Sequence, residues 1–226
     1  MISQKLIVTN TDKLLGLNYK AASIFFGMGI FFSVIYLLFG SRTITEIFIV
    51  AYLLIAGMHH LYQYKFGRKA YLQRVLSGHN SLKWYEYAVT CSMMTLLVAV
   101  IIGITEWYFL ATIVISTAIM MSTGYIIEKN YSINKTPSFL YLAVGIFVGI
   151  CGFGVLLFDL LKNSLVIRDL ILVVMLLSLY ISFPINLYEY ISNKEEKFIT
   201  YEAVSISLSV ISKFILASVL TILLLY

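Results

Sequence analysis

One lysine stands where a lysine is not expected. Lys213 lies inside an apolar run, Ala203–Tyr226, with ten residues of that run before it and thirteen after. A charged side chain near the bilayer centre is costly and marks a functional site by default. A dry site favours the uncharged amine, and that amine can condense with a carbonyl compound to form a Schiff base. The competing reading is a structural lysine hydrogen-bonded to neighbouring helices. A protonated Schiff base there would call for a counterion, because an unpaired buried cation is costly. Glu86 is the candidate, read as the one carboxylate well inside an apolar run rather than at a loop boundary. It lies about one turn beyond Lys83 and Trp84 and would approach Lys213 from the cytoplasmic side. Its alternative is an interfacial glutamate at a helix start. Ser209 precedes Lys213 by four residues and shares its helix face, so its hydroxyl can reach the nitrogen or a nearby water.

His59 and His60 close the second apolar run. Neighbours on a helix point about 100° apart, so at least one faces inward. A neutral imidazole there can take a proton near physiological pH; otherwise both are interface histidines bonded to backbone or water. His79 reads as a solvated loop residue. Among 17 Tyr and 15 Phe, most read as interface belt or packing. Tyr180 and Phe183 are positioned to wall an elongated apolar ligand, although their spacing alone does not require one.

The elements that must position these groups are membrane helices. Of 226 residues, 61% are hydrophobic and 12% charged, where ordinary domains carry about a quarter charged residues. The apolar excess falls into seven runs of roughly 20 residues, the length of a bilayer crossing. They are Tyr19–Gly40, Glu46–Tyr64, Leu82–Gly103, Trp107–Ile127, Pro137–Phe158, Leu170–Tyr190 and Ala203–Tyr226. Backbone groups in lipid must be satisfied within each segment, so the runs are helices, and barrel-type alternation is not seen. The expectation is an all-α bundle of seven transmembrane helices, one domain over residues 1–226, with short loops. The polar, basic segment Met1–Lys20 lacks the pattern of a cleaved signal peptide, which makes the first run a permanent anchor.

Charge placement sets the orientation. Twelve basic residues collect on one side: Lys5, Lys13, Lys20, Lys65, Arg68, Lys69, Arg74, Lys83, Lys129, Lys135, Lys194 and Lys197. The other side has Arg42, Lys162 and Arg168. The N-terminus is therefore expected in the cytoplasm and the C-terminus outside, in a multi-pass protein of the plasma membrane. The net charge of +5 sits at helix ends, which argues against a nucleic-acid partner. Cys91 and Cys151 both read as buried small hydrophobes, and no cysteine cluster has disulfide or metal spacing. No inverted pair of broken helices is evident, which weakens a secondary-transporter reading. Gly145, Gly149, Gly152 and Gly154 would permit close helix contact in span five.

Seven spans with a lysine in the middle of the seventh resemble the retinal-binding rhodopsins, and the details resemble one branch, the heliorhodopsins. The stretch Tyr71–Met94 carries the clearest match, through Gly78, Asn80, Lys83, Trp84, Glu86, Tyr87, Ser92 and Met94. Leu208-Ser209 followed by Lys213, with Glu202 upstream, is the second. Gly124 with Glu128, and Asn186 with Tyr190, are weaker ones. Spans one and five match in hydropathy only. The family's topology is inverted, with the N-terminus inside, in agreement with the charge count.

The resemblance implies all-trans retinal on Lys213 as a protonated Schiff base, Glu86 as counterion, and a light-driven isomerisation to 13-cis. It implies Ser209, Tyr87, Thr90, Met94, Met120, Gly124, Tyr180 and Phe183 as chromophore-binding residues. Proton transfer would involve Glu86 with His59 or His60 on the cytoplasmic side. It further implies a homodimer in a lipid bilayer, no catalysis, and a signalling partner of unknown kind. The sequence also departs from the family pattern. The span-one histidine position holds Phe25, the first external connection is trimmed to about Gly40–Thr43, a tryptophan common after the lysine is replaced by a small residue near Ser218, Lys83 stands for the usual arginine, and Ser81 stands for proline. These departures leave room for a light-gated proton channel or carrier on the same scaffold. A membrane transporter or enzyme with a catalytic lysine is the remaining rival.

Overall fold

The structure is a computed structural model describing residues 2–41, 43–134, 136, 138–162, 166–192 and 198–225, with side chains from Thr11 onward. The described residues form eight helices: α1 (Ile2–Phe39), α2 (Ile44–Leu61), α3 (Arg68–Leu76), α4 (Ser81–Ile101), α5 (Trp107–Asn134), α6 (Phe139–Lys162), α7 (Ile167–Ser192) and α8 (Phe198–Leu225). A π-helical turn, Tyr62–Phe66, continues α2. Every helix but α3 is long and apolar enough to cross a membrane. One end of the bundle carries α3; the other carries the α1–α2 connection.

The seven expected spans are present, with different ends. No proline interrupts the chain before Gly40, so α1 runs continuously from Ile2 rather than from Tyr19. The second loop is not an open connection. Tyr71 and Val75, one turn apart, are buried under α3, and Gly78 closes it at φ +79°, a backbone region that favours glycine. The expected starts and ends at Pro137 and Tyr226 lie outside the described residues, as do the loop cations Arg42, Lys135, Lys194 and Lys197 and the side chain of Lys5.

Between membrane helices the hydrophobic effect is weak, and close packing of small residues takes over. Gly145, Gly149 and Gly152 fall on one face of α6 and admit Thr123, Met120 and Ser116 of α5. Gly154 turns away and has nothing near it. Cys151 is also on the outward side and is exposed, contrary to the buried reading; Cys91 is buried as expected. At the end opposite α3, Tyr36 Oη and Thr221 Oγ1, 2.5 Å apart, join α1 to α8. There Glu46 is buried and accepts from the Ser41 N–H and hydroxyl, tightening the short α1–α2 connection. Apolar side chains such as Leu37, Phe39, Phe147 and Leu161 cover the outer surface.

A side chain at Gly152 would drive α5 from α6, since even its Cβ would lie 2.9 Å from that of Ser116. Gly152→Leu is expected to cost about 1–3 kcal/mol, while Gly154→Ala stays within about 0.5 kcal/mol. Thermal unfolding in detergent checks both, and equal losses would refute the packing argument.

Candidate functional site

Lys213 is 1% exposed near the middle of α8. Its Nζ donates to Ser209 Oγ at 2.8 Å, one turn back on the same helix. It forms an ion pair with Glu86 Oε1 on α4 at 3.2 Å, with both side chains nearly inaccessible. The aromatic rings of Tyr87 and Phe25 lie 5.2 and 5.8 Å from the nitrogen. Thr90 donates to Glu86 Oε1 at 2.9 Å and so holds that oxygen toward the lysine. Glu86 Oε2 is buried with no hydrogen-bond partner among the described residues. Glu86 and Ser209 therefore meet Lys213 as the sequence predicts. Phe25, which occupies the position of the absent span-one histidine, also packs here.

The remaining predicted residues lead away from the amine toward α5, α6 and α7. Tyr87 donates to the Ser205 carbonyl at 3.0 Å and meets Phe183 edge to face. Tyr180 reaches the Cys91 carbonyl at 2.5 Å and pairs with Thr95 Oγ1 at 2.8 Å. Met94 is fully enclosed. An apolar cavity of about 40 Å³ is lined by Trp84, Met120, Gly124, Tyr180, Phe183 and Pro184, among others. A methyl group on Gly124 would collide with the Trp84 indole, so glycine is what seats that ring.

Among the described residues, neither His59 nor His60 hydrogen-bonds Glu86. His60 is buried, stacks on Phe25 at 5.6 Å, and shares a 2.7 Å hydrogen bond between Nδ1 and Asn18 Oδ1. Its Nε2 has no partner. His59 contacts the Gln63 side-chain amide, one turn later in the π-helical segment. His79 is half-buried with Nδ1 enclosed and unpartnered, not the solvated loop residue expected.

The largest departure is Lys83. Counted among loop cations from sequence, it is 3% exposed and sits 2.8 Å from both Glu128 Oε2 and Glu202 Oε2. Glu86 is thus not the one carboxylate inside the bundle. Glu128 also accepts from the Asn80 N–H, from Trp84 Nε1 at 2.9 Å and from Tyr201 Oη at 3.0 Å. Glu202 Oε1 accepts from Asn80 Nδ2 at 2.6 Å. The Lys83 ammonium also lies 4.1 Å from the centre of the Tyr201 ring. Asn80 Nδ2 lies 3.4 Å from Gln63 Oε1 and so joins this triad to the His59 side. On α3, burial and then the negative charge of Glu202 push the Tyr71 phenol well above its ordinary range, and its hydroxyl is buried without a hydrogen-bond partner among the described residues. No single-chain pattern announces this cluster. Its members come from the starts of α4 and α8 and the end of α5, at positions that in sequence read as helix boundaries.

The sequence profile of the Heliorhodopsin family matches residues 39–222. No curated protein matches the sequence. Among solved structures, the chain is similar to xanthorhodopsin, a light-driven ion pump with dual chromophore, at TM-score 0.74 and 12% identity over 95% of this chain and 93% of that one. It is also similar to cyanorhodopsin from the cyanobacterium Tolypothrix sp., at TM-score 0.66 and 17% identity over 95% and 97%. These likenesses give the fold. The family match covers most of the chain, and the protein belongs to the heliorhodopsin family. It is a retinal-binding, light-responsive, multi-pass membrane protein.

Removing the cation of the triad strands two buried carboxylates. Lys83→Met is expected to destabilise the fold by about 3–5 kcal/mol. Adding Glu128→Gln and Glu202→Gln should recover most of the loss. Unfolding in denaturing detergent measures it, and a Lys83→Met protein as stable as the parent would contradict the assignment.

Proposed function

We propose that this heliorhodopsin is a light sensor whose chromophore site is centred on Lys213 and whose proton handling is confined to the α3 end of one retinal-binding domain. The observation that carries the reading is the Lys213 Nζ–Glu86 Oε1 pair at 3.2 Å in a dry interior. All-trans retinal, bound to Nζ as a protonated Schiff base, would supply light absorption and isomerisation. The residues fit such a group. One amine, one carboxylate with an unpartnered oxygen, and a wall of aromatic and thioether side chains leading to a cavity are what it requires.

Within that reading, each residue has a physical task. Glu86 holds negative charge beside the nitrogen and compensates its proton. Thr90 fixes Oε1, leaving Oε2 to accept. Ser209 accepts from the nitrogen one turn back on α8. Tyr87, Met94, Met120, Gly124, Tyr180 and Phe183 shape and close the ligand channel. His60, with a free Nε2, and His59 are the next groups able to take a proton. The side of this cluster is cytoplasmic if the N-terminus is inside, as the loop charges favour. On the other side of Lys213, α8 continues with buried Leu216, Ala217 and Leu220, no histidine is present there among the described residues, and Tyr52 Oη lies 3.5 Å from the Lys213 carbonyl. That asymmetry favours sensing over transport, with a homodimer reporting the photocycle to a partner.

Purified protein given all-trans retinal is expected to develop a visible absorption band that Lys213→Ala abolishes. A band surviving in Lys213→Ala would sink the proposal. Glu86→Gln removes the compensating charge and should move the band into the near-ultraviolet at neutral pH. Voltage-clamp recording should detect no photocurrent at any voltage; a sustained proton current would replace sensing with the channel reading.

A further inference from the structure

A groove of about 540 Å³ lies between α1 and α8 near the α3 end. Its apolar lining includes Leu14, Leu17, Ile199 and Ala203, and Lys13 and Lys20 stand over it. The two lysines are seven residues apart, two helical turns, and so share one side of α1. Gly16 between them leaves the groove open, since a Cβ there would meet nothing within 4 Å. No acidic residue is among the described lining. Asp12, next to Lys13, turns to Arg68 instead, at 3.4 Å.

The height of the groove identifies its surroundings. α1 has 38 residues and is about 57 Å long, well beyond the roughly 30 Å of a hydrocarbon core. About 20 residues counted back from Phe39 span that core and end at Lys20. Lys13 then stands about 10 Å further out, in the headgroup layer. A basic pair at phosphate depth above an apolar slot is complementary to a lipid with a negative headgroup.

We infer that this groove binds one anionic phospholipid, with its phosphate between Lys13 and Lys20 and an acyl chain along Leu14, Leu17, Ile199 and Ala203. The site is separate from the Lys213 centre and does not depend on the chromophore reading. Each lysine near an anionic surface adds roughly fivefold to affinity, so the pair predicts a preference of about 30-fold over a zwitterionic lipid.

The test uses the full chain in nanodiscs of phosphatidylcholine with a minor share of phosphatidylglycerol, released into native mass spectrometry. The expected result is one retained phosphatidylglycerol per chain. Lys13→Gln/Lys20→Gln should lose it, and Gly16→Leu should lose it with the charges intact. Lys65→Gln/Lys69→Gln, outside the groove, should keep it. Circular dichroism and unfolding temperature control for folding. Retention in the bulk lipid ratio, or equal retention by Lys13→Gln/Lys20→Gln, overturns the inference.

Discussion

Two ammonium groups buried in a bundle that faces lipid constrain everything else in this protein. Neither Lys213 nor Lys83 reaches solvent, and an uncompensated cation in such a medium costs several kcal/mol. Each is therefore caged by carboxylates from other helices. Glu86 of α4 meets Lys213 of α8, while Glu128 of α5 and Glu202 of α8 meet Lys83 of α4. These contacts fix α4 against α8 twice and α5 against α4 once. Rotation of α4 by one residue would break both cages together. The strictness of the geometry follows from the penalty for an unpaired charge, because the attraction itself is nearly offset by desolvation.

The two cages are built differently, and the difference separates support from chemistry. Glu128 accepts hydrogen bonds from four donors, Lys83, Asn80, Trp84 and Tyr201, and has little capacity left. Glu86 receives two, from Lys213 and Thr90, both on one oxygen, and its other oxygen is bare. A saturated carboxylate is a structural anchor. A half-saturated one beside an amine is poised for proton exchange. Trp84 connects the Lys83 cage to the cavity, because its indole N–H serves Glu128 while its ring edge rests in the notch at Gly124.

Much of this was legible in the sequence, for reasons that also mark where reading fails. Length and apolarity give the seven spans, because lipid demands about 20 apolar residues per crossing. Lys213 and Ser209 are legible because both lie on one helix at a spacing that fixes their contact. Lys83 was not. At the start of a span, a lysine facing water and one facing the bundle look alike, and only Glu128 and Glu202, 45 and more residues away in sequence, decide between them. Cys151 failed similarly. Hydropathy cannot tell lipid from protein interior, so an apolar context says nothing about which neighbour a side chain has. Helix α3 is not legible because its nine residues carry too many charges to look like a buried element, although Tyr71 and Val75 are buried beneath it.

The polar groups are distributed unevenly about Lys213, and that unevenness bears on what the fold can do. Toward the α3 end, Glu86, His59, His60, Asn18, Gln63 and Asn80 succeed one another, and three of them carry unpartnered buried atoms. In the other direction stand Ser218 on α8, Tyr52 Oη 3.5 Å from the Lys213 carbonyl, and Thr221 with Tyr36 and Glu46 near the far boundary. All three histidines lie toward the α3 end. Transport across a membrane needs a connected path on both sides of the central site, opened in turn. A path on one side can store and return a proton, which shifts charge within the α3 end without moving it across the bilayer. Asn80 bonds both Gln63 and Glu202, so hydrogen bonds link the histidine side to the triad that holds α4, α5 and α8 together. Under the proposed reading, that link is the path by which the position of a proton would bear on helix packing.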